Sequence, residues 1–341
     1  MGRIRSARRP SRRPDGPTAS FPAWRCPSDR LVGRFRTVGV RVAAIDVGTN
    51  STRLLVAEEL ADGFRPLDRR MVITRLGQGV DRTRALGDEA LERTLRTIAE
   101  YAAMCGEYGV ERLRVTGTSA VRDARNRDDF FNGVEKLTGR APEMLSGDTE
   151  ARTTFLGALS DLSSDGPVLV ADIGGGSTEL IWGEERPERL VSLDIGCVRL
   201  FEKHLHSDPP SAEELDALRT EVHTALTGAK AELGVPAGAR LIGVAGTVTQ
   251  LALLKSGLPV YDPDVTHHMV LSHGDVRQLA RRLEALDFGQ RKRVKGLEPG
   301  RADVILAGAE LLLAIMETFD SAEVIASEKD ILDGLVIELL T

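Results

Sequence analysis

The chain is poor in cysteine, in aromatic residues and in long apolar runs, and each shortage closes off a class of protein. Three cysteines in 341 residues, Cys26, Cys105 and Cys197, stand at wide, unpatterned spacings. An odd, scattered set does not build a disulfide frame and predicts reduced thiols, hence a cytoplasmic protein. No run of about 18 apolar residues exists, so no membrane span is expected. The histidines form no metal set. His204 and His206 are two apart on an expected helix and point to different faces, and His267-His268 has no second pair at metal spacing. No Ser-His-Asp constellation or reactive-cysteine string appears, and Cys197 reads as a small packed hydrophobe.

What is present is an ordinary globular composition, 42% hydrophobic, in a chain long enough for two domains. The net charge of −6 hides an asymmetry. Residues 1–41 hold 11 arginines and two aspartates, so the other 300 residues carry 34 of the 45 basic groups and 49 of the 51 acidic ones. An acidic body argues against a nucleic-acid groove, although a local site for an anion can still be basic. Residues 1–40 read as a disordered basic extension. Such an arm could meet nucleic acid or a membrane surface, act as a transit-like leader, or be dispensable.

An internal repeat stands out at an offset of 126 residues. Ala44-Ile45-Asp46-Val47-Gly48-Thr49-Asn50-Ser51-Thr52-Arg53-Leu54 aligns with Val170-Ala171-Asp172-Ile173-Gly174-Gly175-Gly176-Ser177-Thr178-Glu179-Leu180. Each copy follows an apolar strand and precedes a second one, which predicts a strand, a tight polar loop and a returning strand. Glycine lets the backbone approach a ligand, and successive loop N–H groups can converge on an anion such as phosphate. Asp46 and Asp172 sit at strand ends, where a carboxylate can hold a divalent cation. Two ordinary hairpin turns would share this chemistry.

The order of elements repeats too. A third strand (about 67–75) follows the first hairpin, then a helix (88–108), a strand (112–117), a helix (126–138), a short strand (142–145) and a helix (149–161). The second hairpin leads to a strand (188–194), helical segments between 197 and 232, a strand (240–244) and a helix (246–256). Helices at 273–286 and 301–319, a strand at 323–326 and a final helix at 330–339 complete the pattern. It predicts a mixed-sheet α/β architecture, twice over.

The duplicated hairpins resemble the actin and sugar-kinase superfamily. The strings DVGTNSTRLLV, GTSAVRDARNRDDF, LSGDTEARTTFLG, DIGGGSTEL, SLDIGCVRL, GVAGTVTQLA and GLEPGRADVI look like the exopolyphosphatase and guanosine-pentaphosphate phosphatase family over residues 41–341. The resemblance implies two ribonuclease-H-like domains, 41–166 and 167–341, with the site in a cleft between them and the C-terminal helix free to pack back on the first. It implies release of terminal orthophosphate from inorganic polyphosphate or guanosine pentaphosphate, with Mg²⁺ or Mn²⁺ as cofactor. The chain is expected to follow the family's short members. A homodimer is expected, from the prevalence of twofold assembly and from the family.

Residue by residue, the resemblance makes Glu150 the catalytic base, where its place in a first helical turn would otherwise read as an acid serving the helix dipole. Arg122 matches a family arginine facing the substrate; the alternative is a surface arginine on a short helix. Asp172 and Glu179, with Asp46, match positions tied to the metal, although Glu179 could be an exposed strand charge. Gly48, Thr49, Asn50 and Ser51 should cradle one phosphate, and Gly174, Gly175, Gly176 and Ser177 another. Gly243 to Thr247 stands where the superfamily touches a nucleoside, and its helix start could equally bind phosphate oxygens. Arg291 to Lys295 is a polyphosphate track or a solvated turn, and Arg301 and Asp303 carry no assigned role. An aromatic share of 4% disfavours a stacking site for guanine. Other readings are an ATP-using kinase of the superfamily and a non-catalytic sensor of polyphosphate or guanosine polyphosphates.

Overall fold

A computed structural model describes residues 39–162 and 166–341. The basic extension expected over 1–40 lies outside the described residues save for its last two. Strands β1 (Arg41–Val47), β2 (Ser51–Leu60), β3 (Gly63–Ile73), β4 (Arg112–Gly117) and β5 (Glu143–Met144) form one sheet in the order β3-β2-β1-β4-β5. Strands β6 (Val168–Ile173), β7 (Thr178–Gly183), β8 (Pro187–Leu193), β9 (Arg240–Val244), β10 (Val270–Ser272) and β11 (Glu323–Ala326) form the other, ordered β10-β11-β9-β6-β7-β8. In both, the hairpin's first strand pairs antiparallel with its return and parallel with a later strand. This is the repeated mixed-sheet architecture expected.

Among the differences from the expectation, those in two strands have local reasons. β3 begins at Gly63, ahead of Pro66, because it is an edge strand with a register shift opposite Val56 and Ala57. An edge tolerates a residue that cannot donate to the ladder. β10 is a three-residue strand at an edge of the other sheet, too short to show a period.

The period of two in β1 explains how its sheet is covered. Ala43, Ile45 and Val47 share a core with Ile98, Tyr101 and Phe130 from helices Asp88–Glu107 and Arg127–Thr138. Val42 and Ala44 face the other way, onto Ile331, Leu335 and Val336 of helix Ile331–Leu340. In β6, Leu169 and Ala171 meet helices from later in the chain. Val168 and Val170 meet Ala151, Phe155 and Ala158 of helix Gly147–Ala158, which precedes the strand. Each sheet is therefore covered on one face by a helix from the C-terminal end of the other half. These two helices cross backbone to backbone. A Cβ on Gly157 would stand 1.9 Å from Asp330 O, and one on Gly334 would stand 1.9 Å from Thr153 O.

Candidate active site

The two hairpin loops close alike. Gly48 N–H donates to Ser51 O at 2.9 Å, and Gly174 N–H donates to Ser177 O at 3.1 Å. The loops also meet. A Cβ on Gly175 would lie 2.9 Å from Thr49 Cβ, and one on Gly176 would lie 2.5 Å from Ser119 Oγ, so these glycines are needed for the approach of the first half. Both loops line one cavity of about 1670 Å³. The Asn50 amide nitrogen is buried there with no hydrogen-bond partner, a donor aimed at an acceptor the protein does not supply.

The repeat places one acidic pair and one charge pair at equivalent positions. Asp46 faces Arg53 across β1 and β2, and Asp172 faces Glu179 across β6 and β7. In the first copy Arg53 Nη2 bonds Asp46 Oδ2 at 2.7 Å and a second guanidinium nitrogen bonds Asp330. In the second copy two carboxylates face each other. Asp172 accepts from Thr154 Oγ1 at 3.0 Å, and Glu179 accepts from Ser192 Oγ at 2.7 Å. Glu179 is 1% exposed, which removes its reading as a solvated strand charge. Burial, with Glu150 and Asp172 nearby, pushes its carboxyl well above the ordinary range. Burial, then the Asp330 charge, pushes Asp172 up to about 6.

Glu150 lies in the first turn of helix Gly147–Ala158, which Ser146 caps by accepting from Thr149 N–H. It is 8% exposed and lines the cavity. Arg122 Nη1 donates to Glu150 Oε2 at 2.7 Å and to Leu145 O at 2.8 Å. Burial outweighs that arginine, and with Asp172 and Asp46 adding to it, the Glu150 carboxyl is pushed up to about 7. A base of that strength suits proton removal from water near neutral pH. Arg122 is part-buried and ion-paired with Glu150, and it is not among the residues that line the cavity.

A stability consequence follows. The folded Glu150 carboxyl titrates near 7 against an ordinary value of 4.5, so between these pH values the fold binds more protons than the unfolded chain. Stability should therefore fall as pH rises through this window. Melting curves of wild type and Glu150→Gln should show a shallower fall in the variant; parallel curves would contradict the raised carboxyl.

Three features escaped the sequence reading. Arg301 stacks on the start of helix Ala245–Ser256, where a Cβ on Gly246 would lie 2.1 Å from its Nη2. It lines the cavity and makes no ion pair among the described residues, while that helix start has no side-chain cap. A guanidinium without an ion pair beside an uncapped helix start has the chemistry to receive an anion. Asp330, the cap of the final helix, reaches back to Arg53 from 277 residues away. Asp161 joins His267 and His268 into a cluster with metal-like spacing. However, His267 Nδ1 accepts from Glu328 N–H, so its Nε2 carries the proton that faces Asp161, and Lys329 Nζ already pairs with Asp161 at 3.2 Å. The run Arg291 to Lys295 is mixed: Arg291 is buried against Asp208, while Lys292, Arg293 and Lys295 are exposed. Cys197 is buried as expected. No described helix is long and apolar enough to cross a membrane.

Fold and site together define a two-domain actin-like protein whose duplicated loops face one cavity. The chain belongs to the Ppx/GppA phosphatase family, which it matches over residues 55–341. It is 40% identical over 313 residues to exopolyphosphatase 2 of Mycobacterium tuberculosis, a match covering 88% of this chain and 98% of that protein. It is 29% identical to a guanosine-5′-triphosphate,3′-diphosphate pyrophosphatase of Vibrio vulnificus, over 88% of this chain and 59% of that one. Among solved structures, an exopolyphosphatase-like protein superposes with a TM-score of 0.83 at 36% identity, covering 88% of this chain and 98% of its own. The Aquifex aeolicus family member superposes with a TM-score of 0.76 at 32% identity, covering 88% and 98%.

Proposed function

We propose that this chain is an exopolyphosphatase that releases terminal orthophosphate from inorganic polyphosphate in the cytoplasm. The observation that carries the reading is the placement of Glu150, with its basicity raised toward neutrality, on the same cavity wall as two touching phosphate-type loops. Glu150 orients a water and takes its proton as the water oxygen attacks the terminal phosphorus. The P–O bond to the rest of the chain breaks, and the shortened chain keeps the bonding electrons. Loop N–H groups of Thr49 to Ser51 and Gly175 to Ser177, with the Asn50 amide, hold phosphoryl oxygens.

The charge pattern fits a divalent cation. The first copy sets Arg53 against Asp46, whereas the second sets Glu179 against Asp172, and among the described residues no cation is bonded to either. We assign Mg²⁺ or Mn²⁺ to Asp172 and Glu179, and Asp46 to positioning Arg53 rather than to the metal. The bound cation would neutralise charge on the phosphate oxygens during transfer. Arg301 and the start of helix Ala245–Ser256 would receive a more distant phosphate.

One feature favours a second substrate, guanosine pentaphosphate. The lining that holds Gly246 also includes Leu253, Leu258, Pro259 and Tyr261, apolar surface suited to a base. The deciding experiment measures orthophosphate release with Mg²⁺ from long-chain polyphosphate and, in parallel, from guanosine pentaphosphate. Release from the first supports the proposal, and release only from the second replaces it. Silence on both with tight binding of either would leave a sensor.

A further inference from the structure

We infer that Arg199 is a positioning residue: it clamps the two halves together and thereby holds the second phosphate loop and the Arg122–Glu150 pair in register. The inference rests on the proposed hydrolysis for its kinetic consequence, but not for the clamp itself.

Helix Cys197–His204 is joined to the second loop at its N-terminus. Cys197 N–H donates to Gly174 O at 3.0 Å, and Val198 and Arg199 N–H donate to Gly175 O at 2.9 and 3.1 Å. The helix therefore moves with that loop. Gly196 makes the joint possible, since a Cβ there would lie 2.5 Å from the Gly175 carbonyl. From this helix Arg199 engages a partner with each of its three guanidinium nitrogens. Nε donates to Gly176 O at 2.8 Å, Nη2 donates to Asp123 Oδ2 at 2.5 Å, and Nη1 donates to Asp81. Both aspartates belong to the first half. One turn further on, Glu202 accepts from Gly79 N–H at 3.0 Å. The Arg199 side chain is only 12% exposed, so this is a sheltered, three-point contact rather than a surface pair.

The short helix Ser119–Asp123 carries the effect to the reacting groups. Ser119 at its start packs against Gly176, Asp123 at its end holds Arg199, and Arg122 beside it holds Glu150. Loss of the clamp frees one end of that helix and with it the arginine that orients the base. Displacements of this kind, about 1 Å, cost up to about 100-fold in rate.

The test compares wild type with Arg199→Ala, Arg199→Lys, Asp123→Asn and Asp81→Asn. Two measurements are needed: kcat and KM for orthophosphate release, and hydrogen–deuterium exchange over residues 77–84, whose Gly79 amide faces Glu202. Arg199→Ala should speed exchange in that segment and lower kcat by about 10- to 100-fold. Lysine should restore only part of the rate, because an ammonium cannot reproduce the fork. Asp123→Asn should lower kcat more than Asp81→Asn, since only Asp123 adjoins Arg122. A merely structural arginine would lower the melting temperature and leave kcat per folded molecule, and that asymmetry, untouched. Unchanged exchange overturns the clamp, and an unchanged kcat in an opened molecule overturns the positioning role. If Arg199→Ala does not fold, the lysine and asparagine variants carry the same two readouts. If wild type turns over neither substrate, the function fails while the exchange comparison still decides the clamp.

Discussion

Glu150→Gln should reduce orthophosphate release by about 10²–10⁴-fold, the usual worth of a positioned general base. The change is nearly isosteric. A glutamine oxygen can still accept from Arg122 Nη1, now 2.7 Å from the carboxylate, so the helix Gly147–Ala158 and the wall it forms should stay in place. Only the capacity to take a proton is lost. KM should therefore change little, and the loss should fall on kcat. The pH profile gives an independent sign. Burial pushes the Glu150 carboxyl up to about 7 without the cation, and a cation held by Asp172 and Glu179 would draw it back down, so wild-type kcat should climb with pH below neutrality as the carboxylate forms. The variant's residual rate should lack this limb. A variant within tenfold of wild type would remove Glu150 from the chemistry.

Gly334→Val should destabilise the fold strongly. Even the first carbon of a side chain there would overlap the Thr153 carbonyl, which is helix backbone and cannot rotate away. Helices Gly147–Ala158 and Ile331–Leu340 must separate, which uncovers apolar surface on both sheets. Overpacking of this kind costs about 3 kcal/mol, or about 5–10 °C in melting temperature for a chain of this size. Because Glu150 rides on one of the two helices, activity should fall along with stability. A melting curve within about 1 °C of wild type would show that the crossing has slack.

The parts of the fold that were legible in the sequence are those encoded by short-range pattern. The two hairpins, their glycines and the strands at 112–117, 240–244 and 323–326 follow from local apolar runs, and the structure places them there. Glu150, Asp172 and Asp46 were readable as residues, and their burial together on one cavity wall is what the pattern alone could not show. The pairing of Arg53 with Asp330 and of Arg199 with Asp81 and Asp123 depends on how the halves dock, across separations of 277, 118 and 76 residues. The same holds for Asp161 and His267, 106 residues apart. Such contacts leave no periodic trace. Glu179 matches a metal position in the sequence, but its burial was not legible there for a related reason: strand alternation tells which face a residue takes, not whether that face is covered.

The exchange of covering helices between the halves bears on how the molecule is made and how it comes apart. A fragment ending before the crossover has no lid for Val42, Ala44, Leu55 and Ala57, the apolar face that Ile331 to Val336 would shield. During synthesis the first half must wait, sticky on one side, until nearly the whole chain has been translated. A protease nick between the halves would leave two pieces that still need each other, so complementation of co-expressed fragments should succeed where either fragment alone aggregates.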